Sequence, residues 1–302
     1  MADALRGVVV MSYGTPATPD AIAAYYTHVR RGRRPTPELL ADLERRYEAI
    51  GGLSPLATRT RAQAAALAAE LGDGWVTVLG NKHAEPFLED GVREIARTGA
   101  RLVVGLVLAP HTAALSTGEY HARAREVAVP SGMAYRLVGS WGDHPALVDL
   151  LATRVRAALA RYPAGARVMT LFTAHSLPER ALGYDRPSYP DQLAATAAAV
   201  AGRAGLDRWQ VAWQSAGRTD DPWIGPDIGE VIAGLPAQGF DGVLVCPAGF
   251  VSDHLEVLYD VDIEARQQAG NAGLVLERTD SLNDDPGFVA LLADLVRQAA
   301  DP

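Results

Sequence analysis

Two stretches of this chain gather side chains that can move protons or hold a metal. The first is Thr173-Ala174-His175-Ser176-Leu177-Pro178, which follows a predicted strand at Val168–Phe172. An imidazole in such a loop can accept a proton near neutral pH or ligate a borderline metal. A lone histidine more often does no more than hydrogen-bond its loop, so His175 needs a partner. The second stretch, Phe250 to Glu264, offers candidates. If it is helical from about Asp253, Glu256, Asp260 and Glu264 fall at i, i+4 and i+8 on one face. Carboxylates in a row repel each other unless they are solvated, paired with cations or visited by a metal, and solvation is the ordinary case. Hard divalent ions favour oxygen ligands, whereas Fe²⁺ also accepts mixed imidazole and carboxylate ligation. Positive charge gathers at Arg30, Arg31, Arg33 and Arg34, although the chain carries a net −8. Such a patch suits a small anionic ligand or a solvated loop.

Other chemistries lack their parts. His254-Leu255-Glu256 has the HxE form of a zinc deaminase, but the paired cysteines of that chemistry are missing. No G-x-S-x-G elbow accompanies Ser176. Gly14 stands without the G-x-G-x-x-G spacing of a dinucleotide site, which disfavours a Rossmann oxidoreductase.

The elements that must position these residues alternate between β-branched runs and Ala-rich helices, the pattern of parallel α/β sheets. Predicted strands are Gly7–Met11, Trp75–Leu79, Leu102–Leu108, Tyr135–Gly139, Val168–Phe172, Gln210–Trp213, Gly242–Val245 and Gly273–Glu277. Predicted helices are Pro19–His28, Glu38–Ala49, Ser54–Leu71, Glu85–Arg97, Pro145–Arg161, Asp191–Ala204 and Pro286–Ala300. The strands divide into two sets of four. This predicts an α/β fold of two similar Rossmann-like domains, each a four-stranded parallel sheet flanked by helices. The division is expected at 1–142 and 143–285, with the helix in 286–302 packing back on the first domain. A faint internal symmetry agrees: Leu108-Ala109-Pro110 and Val245-Cys246-Pro247 are each followed, nine positions beyond the proline, by Glu119 and Glu256. Ligands of open parallel sheets bind beyond the carboxyl ends of the strands. Tyr13, His175, His254 and Glu256 all fall at such ends.

Composition narrows the classes further. Hydrophobic residues make up 48 % and charged residues 21 % of the 302 residues, a globular balance. The acidic total argues against a general nucleic-acid binder. The single cysteine, Cys246, leaves no intrachain disulfide, cysteine-ligated iron–sulfur cluster or multi-thiolate zinc site. No apolar run approaches the ~20 residues of a membrane span, and Met1–Arg6 does not read as a signal peptide. A non-membrane, cytoplasmic and monomeric protein is expected.

Taken in order, further segments resemble the ferrochelatases, and most closely the bacterial coproporphyrin ferrochelatases. They are Met11-Ser12-Tyr13-Gly14-Thr15-Pro16, Tyr25-Tyr26-Thr27-His28-Val29-Arg30-Arg31-Gly32-Arg33, and the run from Arg46-Tyr47 through Gly51-Gly52-Leu53-Ser54-Pro55-Leu56. Lys82-His83-Ala84-Glu85-Pro86-Phe87, Ala174-His175-Ser176-Leu177-Pro178, Tyr189-Pro190-Asp191-Gln192-Leu193 and Trp213-Gln214-Ser215 follow. The last two are Asp221-Pro222-Trp223-Ile224-Gly225-Pro226 and Val251-Ser252-Asp253-His254-Leu255-Glu256. The resemblance implies a chelatase-like pair of domains with a porphyrin between them, Fe²⁺ as substrate, and no tightly bound cofactor. It implies that His175 and Glu256 face the metal and that Tyr13 is axial to the product iron. Arg30, Arg46, Tyr47, Ser54 and Tyr120 match positions that hold the ring and its propionates. Asp260 and Glu264 match an outer site for a second hydrated cation such as Mg²⁺. It implies iron insertion into coproporphyrin III, with a coproheme decarboxylase downstream. The alternatives are insertion into protoporphyrin IX and a haem-binding module that metallates nothing. Which of His175 and Glu256 takes protons and which handles metal stays open at this point.

Overall fold

The structure, a computed structural model, describes residues 5–182, 186–217, 219 and 221–301. Residues Met1–Ala4, part of the Met1–Arg6 segment that does not read as a signal peptide, lie outside the described residues. Short runs of β-branched residues make the strands because both faces of each central strand are buried, and Val8, Val9, Val10 and Met11 are fully enclosed. In the first half β1 (Arg6–Ser12), β2 (Trp75–Asn81), β3 (Leu102–Val107) and β4 (Ala134–Leu137) form a parallel sheet of order β2-β1-β3-β4. In the second half β5 (Val168–His175), β6 (Trp209–Gln214), β7 (Gly242–Cys246) and β8 (Val275–Arg278) repeat that order as β6-β5-β7-β8. All eight predicted strands are present. One boundary changes the site: β5 runs through His175 instead of stopping at Phe172, because β6 continues the ladder and His175 pairs with Gln214. His175 therefore stands on a strand end.

The helices are α1 (Ile22–Val29), α2 (Pro37–Ala49), α3 (Leu56–Leu71), α4 (Leu88–Arg97), α5 (Thr117–Ala128), α6 (Pro145–Leu159), α7 (Tyr189–Ala204), α8 (Ile228–Gly234), α9 (Arg266–Asn271) and α10 (Pro286–Ala300). Helix α3 begins later than expected, at Leu56, and the Ser54 hydroxyl accepts from Leu56 N before its first turn. Helix α7 carries a capping box from Ser188 and Asp191, an arrangement that satisfies donors at both positions. The expected stripe helix is π-helical over Val257–Ala265, a wound-out form that concentrates at functional sites.

One continuous core joins the sheets. Val8, Val10, Val104 and Leu106 of the first sheet and Phe172, Leu244 and Cys246 of the second share it with α6, α7 and α10. The other face of each sheet has its own cluster, around Val92 and Ile95 in the first half and Ile232 and Val261 in the second. Helix α10 packs on α3, β3 and β4 and also on α6, so it contacts both halves. The shared core fixes the two carboxyl-end edges relative to each other, with a cleft between them.

Candidate active site

A cavity of about 490 Å³ occupies that cleft, within the ordinary range for a ligand site. The first half contributes Tyr13, just past β1, with Tyr26 from α1, Tyr47 from α2, Ser54 and Leu56 before and at the start of α3, and Tyr120 from α5. The second half contributes His175 from the end of β5, Tyr189 from α7, and His254 with Glu256 at the turn into the π segment. Six of the sequence-expected residues therefore meet here: Tyr13, Tyr47, Ser54, Tyr120, His175 and Glu256.

His175 Nε2 lies 3.5 Å from Glu256 Oε1. The His175 Nδ1–H donates to the Ser176 carbonyl, which leaves Nε2 as the atom available to the cavity. Burial by itself would lower the imidazole pKa, but the Glu256 carboxylate, its hydrogen bond and the Ser176 carbonyl outweigh that and raise it to about 9. The carboxyl of Glu256, which burial would push up, is held well below the usual range by His175 and His254. The pair is thus an imidazolium and a carboxylate at neutral pH.

His254 completes the wall. Its Nδ1–H donates to Ser252 O at 3.0 Å and its Nε2 lies 3.5 Å from Glu256 Oε2. Each oxygen of one carboxylate therefore meets an imidazole Nε2. Sequence reasoning placed His254 at the same strand edge and weighed it for deaminase chemistry, but gave it no role beside Glu256. The signal that could have placed it was its position two residues before Glu256, at the entry to a helix.

The opposite wall is phenolic. Tyr13 is 44 % exposed and lines the cavity, so it keeps a face open to a ligand. The protein around the concave wall and the Glu256 charge nevertheless hold its proton on, well above the usual phenol range. Burial also raises Tyr47, to about 12, against the opposing hydrogen bond from Thr15. Lys82, missed at first, sits 5.0 Å from the Tyr120 ring centroid and pairs with Glu119 at 2.6 Å. Its clue was the Lys82-His83 dipeptide after β2.

Four expected residues do not line the cavity. Arg30 is half-buried, with its guanidinium 5.7 Å from the Tyr26 ring centroid and its Nε unpartnered. Arg46 ties α2 to the second half: it reaches Asp260 at 3.3 Å and Asp42 at 3.2 Å, and lies 4.9 Å from the Tyr259 ring. Asp260 sits behind Glu256 in the π segment. Burial and the Glu256 charge raise its pKa to about 6, against the pull of the Ser215 hydroxyl and Arg46. Glu264 lies further along, half-buried, and adds to the same effect. Among the described residues no group of three or more His, Cys, Asp or Glu side chains is arranged to enclose a metal ion. No described helix is long and apolar enough to cross a membrane.

Twin four-stranded parallel sheets with a cleft at their carboxyl edges, lined by an imidazole–carboxylate pair and phenols, define a chelatase-type α/β protein. The same overall fold occurs in CbiX, the terminal enzyme for biosynthesis of siroheme in denitrifying bacteria, at a TM-score of 0.57, 17 % identity and coverage of 97 % of this chain and 99 % of that one. It occurs also in SirB from Bacillus subtilis with Fe³⁺, at a TM-score of 0.63 and 13 % identity over 98 % and 96 %. The ferrochelatase family model matches residues 5–300. A ferrochelatase of Herpetosiphon aurantiacus is 43 % identical over 97 % of this chain and 98 % of its own length. The coproporphyrin III ferrochelatase of Bacillus subtilis is 42 % identical over 96 % of each, and that of Halalkalibacterium halodurans 40 % over 97 % and 96 %. The chain belongs to the ferrochelatase family.

Proposed function

We propose that this enzyme inserts Fe²⁺ into coproporphyrin III, with His175 and Glu256 facing the incoming metal and Tyr13 on the far side of the ring. The supporting observation is the His175–Glu256 pair, 3.5 Å apart on one wall of the cavity that Tyr13 also lines. Metallation exchanges two pyrrole protons for one Fe²⁺. Fe²⁺ arrives at the Glu256 carboxylate, and Nε2 of His175, whose Nδ1 is committed to Ser176 O, gives up its own proton before it takes one from a pyrrole. The two events are coupled. A cation on Glu256 weakens the attraction that holds the His175 proton, so the imidazolium releases it to solvent, and the neutral Nε2 then takes the two pyrrole protons one after the other, passing each to solvent. A cleft that bends the ring exposes its nitrogen lone pairs to the metal. A pair that only held haem would not need this charge arrangement.

Ser54, Tyr47 and Tyr120 hold the ring edge, and Arg30 and Arg46 receive propionates by reorienting toward the cavity; arginine forks suit carboxylates. Asp260 and Glu264 form the outer cation site. The relatives named for coproporphyrin III, together with the basic run Arg30–Arg34, support the four-carboxylate porphyrin as substrate. We further propose a domain division at 142/143, a monomeric cytoplasmic enzyme without an iron–sulfur cluster, and delivery of its product to a decarboxylase. The test is anaerobic turnover of Fe²⁺ with each porphyrin, followed by absorbance. The proposal expects higher kcat/KM with coproporphyrin III. Preference for protoporphyrin IX would replace the substrate, and no metallation of either would defeat the assignment.

A further inference from the structure

The loop that carries Glu256 into the cavity is gripped from the other half of the molecule. Gln63 lies on α3 and is fully buried. Its Nε2 donates to Asn283 O at 2.7 Å and to the Ser252 hydroxyl at 3.0 Å, and Val251 O is 3.5 Å away. Two of these neighbours are carbonyl oxygens that can only accept, so the orientation of the amide is fixed. The loop is also pinned from its own side. Asn283 N donates to Val251 O at 2.8 Å, and the Asn283 side chain accepts from Asp253 N at 3.0 Å and donates to Asp253 Oδ2 at 2.9 Å. Asn283 takes a positive φ of 47° to do this, a conformation asparagine tolerates better than most residues. The Ser252 carbonyl in turn orients His254.

Gln63 gains little from this site for itself, because its Oε1 is buried with no hydrogen-bond partner. Burying an unpaired carbonyl is unfavourable, and an apolar side chain of equal size would avoid it. The residue type is explained by what the loop needs, a donor aimed at three acceptors. Leu56 and Thr60 on the same helix line the cavity. The geometry points to Gln63 as a positioning residue that sets the Glu256–His254 wall relative to the ring-binding wall across the cleft. This inference rests on the metal-facing role proposed for Glu256.

Three variants test it. Gln63→Met keeps the volume and removes the donor. The expected result is a fall in kcat on the order of tenfold or more, since small misplacements at a reacting centre are costly, with a higher KM for Fe²⁺ and an unchanged porphyrin Kd. Gln63→Glu places a carboxyl among the same acceptors. Ionised it repels them and protonated it can donate, so its deficit relative to wild type grows as pH rises and narrows as pH falls. A purely structural role would lower the Tm and the folded fraction with the same pH trend, but would leave the Fe²⁺ KM of the folded enzyme unchanged. Ser252→Ala removes one acceptor without touching α3 and gives a smaller effect in the same direction, which keeps the test open if Gln63→Met does not fold. Unaltered kcat and Fe²⁺ KM in Gln63→Met, a loss confined to porphyrin affinity, or a pH-independent deficit in Gln63→Glu would overturn the inference. A wild-type enzyme that metallates no porphyrin would instead remove the reading on which it rests.

Discussion

The two walls of the cleft grow from sheets of identical strand order, yet they hold opposite kinds of chemistry. Past β1 the chain presents Tyr13, backed by Tyr47 and Tyr120, whose protons burial keeps in place across the physiological range. At the end of β5 it presents His175, which shares charge with Glu256 and leads to Asp260 behind it. One wall offers an aromatic, neutral surface on which a flat ring can rest. The other offers groups whose protons and charges respond to a cation. A repeated architecture thus supplies two positions for side chains, and residue choice at each makes one wall phenolic and the other charged, the division that the proposed roles use.

Breaking the charged wall should have the largest effect. His175→Ala is expected to keep the fold and porphyrin binding but to lose 10²–10⁴-fold in iron insertion, read as kcat beside a porphyrin titration. Full insertion activity in that variant would contradict the role. Glu256→Gln should reduce insertion comparably and also lower the His175 pKa, since the carboxylate is what raises it to about 9. In wild type, metal binding at the pair competes with the Nε2 proton, so kcat/KM for Fe²⁺ rises with pH toward about 9. Residual activity in Glu256→Gln should lose that dependence at a lower pH. The sign for stability is opposite. A raised imidazole pKa stabilises the fold fully below its unfolded value of about 6.5, and that contribution fades as pH passes about 9. His175→Ala should therefore show the flatter profile of Tm against pH.

Much of this contrast was legible in the sequence. Val8–Met11 and Val243–Val245 announce buried parallel strands, and the Tyr13, His175 and Glu256 segments sit at their ends. Other features were not. Helix α5 opens Thr117-Gly118-Glu119 and α8 is short and carries Gly229 and Gly234, so neither shows a sustained apolar stripe. The π winding of Val257–Ala265 depends on tertiary packing more than on residue type. The Arg46–Asp260 and Gln63–Ser252 contacts join residues about two hundred positions apart, which no local pattern encodes. Gln63 did leave one trace, a lone amide in the alanine-rich α3, on the buried face that also carries Thr60, Ala64, Leu67 and Leu71.

Changes on the phenolic wall sharpen the comparison with smaller effects. Tyr13→Phe should leave insertion within several-fold of wild type while altering the visible and EPR spectra of the bound iron-porphyrin, because the axial oxygen is gone. An unchanged spectrum would remove Tyr13 from the iron. The smallest effect is expected at the outer carboxylate. Asp260→Asn should raise the KM for Fe²⁺ a few-fold above pH 6, where wild-type Asp260 is ionised, and little below it. A pH-independent KM change would show that Asp260 acts through its contacts with Arg46 and Ser215 instead of its charge.

The most direct measurement is a crystal structure of the enzyme with iron-coproporphyrin III, using anomalous scattering to locate the iron. The account predicts the macrocycle in the 490 Å³ cleft, with the iron between the Tyr13 oxygen on one face and His175 Nε2 with Glu256 on the other. Iron facing neither wall, or a ring bound outside the cleft, would contradict it.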